Sequence, residues 1–445
     1  MDCSVVNRME KRHISGGTPR ASGDGRGERV PSKPRPSAGP QGRATRFPGR
    51  PHQLPRYLAV YLFLLVLTGC PSNPQPPAQP SAPTGQALPP PSVALQVVVV
   101  NDPPLSEAIN RLRGEWAERS GGSLTATSKP WSEVMAAKSL DADLLIFPTR
   151  YLGELAMRDF LRPVRANVLE AKSLNVEDFF PLVYRELITW DGQVMALPLG
   201  VQLPASVPSS DMDSPAVALL ARAAPYAVYH DRAGPLFDPQ TMKPRITEKS
   251  FERALLELSK QKDTADSATS QSPDVNEIYN ASTGQWEKLS GRRQVPLLGV
   301  GDRLAAVTAS SRNAATAFKL LAWLAEPESS SQLARAGNGT MPVRKSLASS
   351  PSWYDPKLTA SERSNLAKAL EQSLTSQECL VIPRIPGIED YLAALDEAAK
   401  DTLAGKVDPQ AALKQAADQW EKITESRGRD AQRAAYLKHL GITEP

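Results

Sequence analysis

From about residue 93 onward the sequence predicts an α/β fold built on a buried parallel sheet, and three observations carry that expectation. Ala94-Leu95-Gln96-Val97-Val98-Val99-Val100 is a valine-rich run of the kind found in strands covered on both faces. Leu105, Ile109, Leu112 and Trp116 then recur at helical spacing, and Gly121-Gly122 ends that helix. Strand candidates at 123–127 and 143–147 alternate with helix candidates at 131–138 and 151–158. Alternation at these lengths implies parallel strands with helices on both sides of the sheet.

The remaining elements follow in order. Trp190-Asp191-Gly192-Gln193 reads as a tight turn leading into a strand over 194–199. A Pro/Ser-rich patch, Pro204–Pro215, precedes helices expected near 216–229 and 248–260, and the polar stretch 261–275 reads as a loop. Strand-like runs at 294–298 and 304–309 lead into a helix-rich C-terminal part. Its helices fall at 313–325, 328–336, 359–374, 388–403, 410–426 and 430–440, and Thr359 with Glu362 fits a capping box.

The first ninety residues are a different material. Residues 1–56 hold twelve Lys/Arg and four Asp/Glu in a Gly/Pro/Ser/Arg-rich stretch with almost no apolar pattern, a basic leader or a start placed too early. Without them the chain carries forty basic and forty-four acidic residues, so the basic balance of the whole gives no argument for a nucleic-acid partner. Tyr57–Gly69 is uncharged and apolar over thirteen residues, too short to span a bilayer at roughly 20 residues, and reads as the core of a secretory signal. It ends in Leu67-Thr68-Gly69-Cys70, which resembles the lipobox of bacterial lipoproteins. That resemblance implies a lipidated Cys70 as the mature amino terminus, a membrane anchor and a cell-envelope or periplasmic location. Nine prolines in Pro71–Ser92 make an extended spacer.

Catalytic and metal chemistry find little support. Beyond Cys70 only His230, His439 and Cys379 are present among the His and Cys residues, none with a metal-ligand neighbour at helical spacing. Gly299-Val300-Gly301 is a glycine fingerprint lacking its third glycine, and no Gly-Lys-Ser/Thr occurs. No cofactor, metal or catalytic residue is therefore expected. Cys379, in Cys379-Leu380-Val381-Ile382, reads as a buried small hydrophobe.

Longer phrases are more informative. Asp143–Tyr151, Phe160–Val164, Trp190–Gly200, Ala314–Glu328 with Asn338–Lys345, and Pro383–Ile423 occur in the order found in family 1 extracellular solute-binding proteins, the sugar-binding type of ABC importers. The sequence resembles that family over most of 93–200 and 294–442. The resemblance implies a two-lobed type II periplasmic-binding-protein fold: 93–200 as the first part of lobe 1, 201–295 as a shortened lobe 2, and 296–445 as the return to lobe 1 with the C-terminal helices. It also implies a non-enzymatic receptor that closes by hinge motion on a small, sugar-like ligand and delivers it to a transporter permease. Asn101, Asp102, Trp131, Arg150 and Tyr151, in loops after the first three strands, then become ligand contacts, as do Asp302, Arg344 and Tyr391. The short 201–295 segment keeps a second reading open, a scaffold that binds a partner and no solute.

Overall fold

The computed structural model describes residues 92–203, 214–228, 234–261, 273–333, 336 and 340–442. The leader, Cys70, nearly all of the Pro-rich spacer, His230, most of the Pro/Ser-rich patch and most of the 261–275 loop lie outside them. Residues 86–445 form one compact unit.

In the first part, β1 (Ala94–Val100), α1 (Pro103–Arg111), α2 (Arg113–Ser120), β2 (Ser123–Lys129), α3 (Trp131–Ala136), β3 (Leu144–Phe147), α4 (Leu152–Met157) and α5 (Ala166–Leu169) follow one another. The hairpin β4 (Thr189–Trp190) and β5 (Gln193–Val194) leads to β6 (Leu197–Gly200). The middle supplies α6 (Pro215–Ala227), α7 (Lys249–Gln261), and the hairpin of β7 (Val275–Asn280) and β8 (Gln285–Arg293). After β9 (Leu297–Leu298) and β10 (Arg303–Val307) come α8 (Ala314–Ala325), α9 (Pro327–Leu333), α10 (Ala360–Leu374) and β11 (Leu380–Val381). The chain closes with α11 (Ile388–Leu403), α12 (Pro409–Arg427) and α13 (Arg429–His439).

Five strands form the central sheet in the order β2-β1-β3-β10-β6. β1 runs parallel to β2 and β3, with Val97 opposite Ala126 and Val98 opposite Leu145. β10 enters between β3 and β6 antiparallel to both, and its pairing with β6 is irregular between Arg303 and Leu304. Such an irregularity turns a side chain away from its regular alternation. Every residue of β3 and β10 is buried, as expected of strands covered on two faces. At the β2 edge the Asn110 side chain substitutes for a neighbouring strand: its amide donates to the Ala126 carbonyl and its oxygen accepts from the Ala126 N–H, both at 2.8 Å.

A second core is helical. α6, α7, α11 and α12 pack on one another around Phe237, Tyr391, Trp420 and Tyr436, whose rings meet at centroid distances of 4.8–5.6 Å. The only sheet this part adds among the described residues, besides the β7–β8 hairpin, is the two-residue parallel pair of β9 and β11. The chain passes from the five-stranded sheet to the helical core after β6 and returns through Gly299–Asp302 into β10.

Candidate functional site

The site is built where β1 and β3 end. Asn101 sits at φ 54°, in the left-handed region that Asn tolerates better than most residues. Its N–H donates to Lys129 O at 2.9 Å, and its side-chain oxygen accepts from Trp131 N at 3.0 Å. Asn101 thereby ties the end of β1 to the end of β2 and the start of α3. Asp102 follows with two duties. One oxygen caps α1 by accepting from Leu105 N at 3.1 Å, and the other accepts from Arg303 Nε and Nη2 at 3.0 and 2.7 Å. Arg303 also donates to Ala336 O. Burial lowers the Arg303 pKa, and the Asp102 carboxylate opposes that shift.

Arg150 lies in the helical turn Thr149–Tyr151 that follows β3. Its Nε donates to Glu389 Oε1 of α11 at 2.6 Å, and its guanidinium also reaches Val300 O. The same group lies 4.9 Å from the centre of the Tyr151 ring, and that ring stacks on Trp131 at 3.8 Å with 7° between planes. Burial holds the Tyr151 phenol well above its ordinary pKa, so it stays neutral.

Asp302 is buried at the junction of the two parts. It accepts from Gln202 N at 2.7 Å and from Gly299 N at 3.0 Å. Gly299, at φ +89°, takes a backbone shape that favours glycine, and a Cβ on Gly301 would fall 1.8 Å from the Gln202 side-chain oxygen. Burial pushes the Asp302 carboxyl up to about 6, against the bonds from Gln202 N and Gly299 N and the charge of Arg150.

Asn101, Asp102, Arg150 and Asp302 line one cavity of about 310 Å³, together with Phe147, Gln202 and Arg303. Trp131 and Tyr151 do not line it; they form the stack beside Arg150. Two expected contacts belong elsewhere. Arg344 is wholly buried over the Phe179 ring and donates to the carbonyls of Leu174, Asn175 and Ala325 and to Asp178, so it fastens loops together. Tyr391 is equally buried, its hydroxyl 3.0 Å from that of Thr424 and its carbonyl accepting from Trp420 Nε1, inside the helical core. Neither residue reaches the cavity. Conversely, Gln202 and Arg303 line the cavity and Glu389 holds Arg150 beside it, and none of the three is a sequence candidate. An arginine opening the apolar run Arg303-Leu304-Ala305-Ala306-Val307 was the available signal, because a charge there requires a buried partner.

Among the described residues no group of three or more His, Cys, Asp or Glu gathers as a metal site, and no helix is long and apolar enough to cross a membrane. Cys379 is half-buried, and burial pushes its thiol up to about 12, which makes it a poor nucleophile at neutral pH.

A sheet with a late antiparallel strand, a helical second part and a cavity at the sheet end of the segments that cross between them make this the type II periplasmic-binding-protein fold, and solved structures share it. The sugar-binding protein MalE from the phytopathogen Xanthomonas citri matches at a TM-score of 0.53 and 16% identity, over 75% of this chain and 98% of that one. The ABC substrate-binding protein Lmo0181 from Listeria monocytogenes, solved with cycloalternan, matches at 0.51 and 12% identity over 75% and 99%. The maltose-maltodextrin binding protein of Alicyclobacillus acidocaldarius matches at 0.50 and 15% over 74% and 100%. No protein-family profile matches the sequence, and no curated protein does.

Proposed function

We propose that the chain is an extracytoplasmic solute-binding protein of an ABC-type importer, not an enzyme, with a shortened second lobe. Its ligand on this reading is a small polar solute, carbohydrate or polyol. The observation that carries the reading is the convergence of Asn101, Asp102, Arg150 and Asp302 on one cavity outside the carboxyl ends of β1 and β3. Ligands of open α/β sheets lie at that end. Hydroxyl-rich solutes need fixed carboxylate, amide and guanidinium groups of this kind. At about 310 Å³ the cavity is at the small end of ligand sites, roughly 300–1,000 Å³, and suits a single sugar ring or a short polyol better than a long oligosaccharide.

A thermal-shift and calorimetry panel of monosaccharides, polyols and oligosaccharides tests this. A ligand at 100 times its dissociation constant adds about 2.7 kcal/mol to stability. The Asp102–Arg303 and Arg150–Glu389 pairs already satisfy charges that a solute would meet, which favours the alternative of a partner-binding scaffold. No heat and no shift across the panel would select that alternative.

The envelope location and the anchor rest on Leu67-Thr68-Gly69-Cys70. Mass spectrometry of the membrane fraction should find a diacylated Cys70, and a Cys70→Ala protein should leave that fraction. Recovery of residues 1–56 in the mature protein would sink the anchor and leave the cavity reading standing.

A further inference from the structure

The chain crosses between the five-stranded sheet and the helical core after β6, before β10 and again between α9 and β11, and the first two of these connections meet at a single carboxylate. One connection leaves β6 through Val201 and Gln202; the other runs from β9 through Gly299-Val300-Gly301-Asp302 into β10. Asp302 Oδ1 accepts from Gln202 N of the first, and Oδ2 accepts from Gly299 N of the second. Each oxygen serves a different connection. We propose that Asp302 is the positioning group of this junction, and that its ionisation decides whether the two connections are pinned together or free to bend. The bearing on ligand capture rests on the solute-binding reading, whereas the junction itself can be tested without a ligand.

An ionised carboxylate is acceptor-only and can take both N–H groups at once. A protonated one keeps a full acceptor in its carbonyl oxygen but only a weak one in its hydroxyl oxygen, so with backbone N–H donors facing both oxygens the bond to the hydroxyl oxygen is weakened or re-aimed. Burial has moved the titration of Asp302 to about 6, where a small change in pH changes its state. The groups around it are few. The turn after β3 contributes the Thr149 hydroxyl and the Arg150 guanidinium. Arg150 is itself held by Glu389 from α11 and by Val300 O in the second connection. Across the same cavity, Arg303 is engaged by Asp102 from the end of β1. Asp302 also faces the cavity, so pinning the junction fixes one wall of the site at the same time.

Hydrogen exchange of the whole chain, ligand-free and corrected for intrinsic rates, reads the junction directly. Between pH 8 and pH 5 the wild type should lose at least tenfold protection at Gln202 or Gly299, with a midpoint near 6. The Thr308 amide, bonded to Asp143 O at 3.0 Å in the sheet, is the internal control and should hold. In Asp302→Asn the amide side chain presents one acceptor and one donor, so one of the two backbone amides should be poorly protected at every pH. Should that variant fail to fold, the wild-type profile decides alone. Protection of both amides that stays flat from pH 8 to 5, or falls in step with Thr308, overturns the proposal. A sugar panel that gives no binding while the two amides still titrate would sink the solute reading and leave the junction in place.

Discussion

Asp302 binds its proton more tightly in the folded chain than in the unfolded one. Its carboxyl titrates at about 6 in the fold against an ordinary 3.8, so between those values the folded state holds the extra proton. The group's contribution to stability is therefore complete below about 3.8 and is lost as pH rises through about 6. Compared with Asp302→Asn, the wild type should lose a few kcal/mol of relative stability on going from pH 4 to pH 7, at roughly 1.4 kcal/mol per pKa unit. Urea titrations of both proteins at several pH values check the slope. Arg344 presents the opposite case, a buried cation whose partners are mostly carbonyls. Arg344→Met should cost about 3 kcal/mol or more in the same assay, because Asp178 and three carbonyl oxygens lose their donor. It should leave solute affinity unchanged, since Arg344 does not line the cavity. Residue type alone could not separate these arginines. Arg150, Arg303 and Arg344 differ in which partners the fold brings to them, and those partners come from distant segments.

At the scale of elements, sequence and structure agree closely wherever local chemistry decides the outcome. β1 and α11 run from Ala94 to Val100 and from Ile388 to Leu403, the expected bounds, because an unbroken valine run and a long apolar periodicity leave no competing pattern. Thr359 and Glu362 form the reciprocal capping box at the start of α10. Asp191 and Gly192 turn the β4–β5 hairpin with φ of 50° and 73°, the signs that a tight two-residue turn needs. Elsewhere the sequence pattern does not match the fold. The run from Leu105 to Trp116 continues in phase, yet the chain breaks at Leu112 into α1 and α2. The β7–β8 hairpin escaped because Gln285–Arg293 is polar and largely exposed, so it lacks the alternation that marks a half-buried strand. Capping gives a direct test at this scale. The Asp408 side chain accepts from Ala411 N at 3.0 Å at the head of α12, so Asp408→Ala should cost about 1 kcal/mol in denaturant titration.

Across the whole molecule, two buried groups set opposing pH responses. His439 accepts from Arg384 Nε at 3.1 Å, and burial together with the Arg384 charge holds its pKa well below 6.5. Below 6.5 the unfolded chain takes a proton that the folded chain refuses, so stability falls with acidification there, while the Asp302 contribution grows. His439→Gln should flatten the acid-side loss, and thermal melts from pH 7 to pH 5 would show it. The sheet itself has a temporal consequence. β10 fills the gap between β3 and β6, yet it is drawn from a part of the chain made long after both. Until Arg303–Val307 arrives, the edge of β3 away from β1 and the facing edge of β6 have no partner, and contacts so distant in sequence form slowly because loop closure precedes their reward. A chain threaded amino terminus first through a narrow channel would thus cross before its central sheet could close. Refolding from urea should accordingly be slow, and a chain truncated before Arg303 should stay open and prone to aggregation however long it is given.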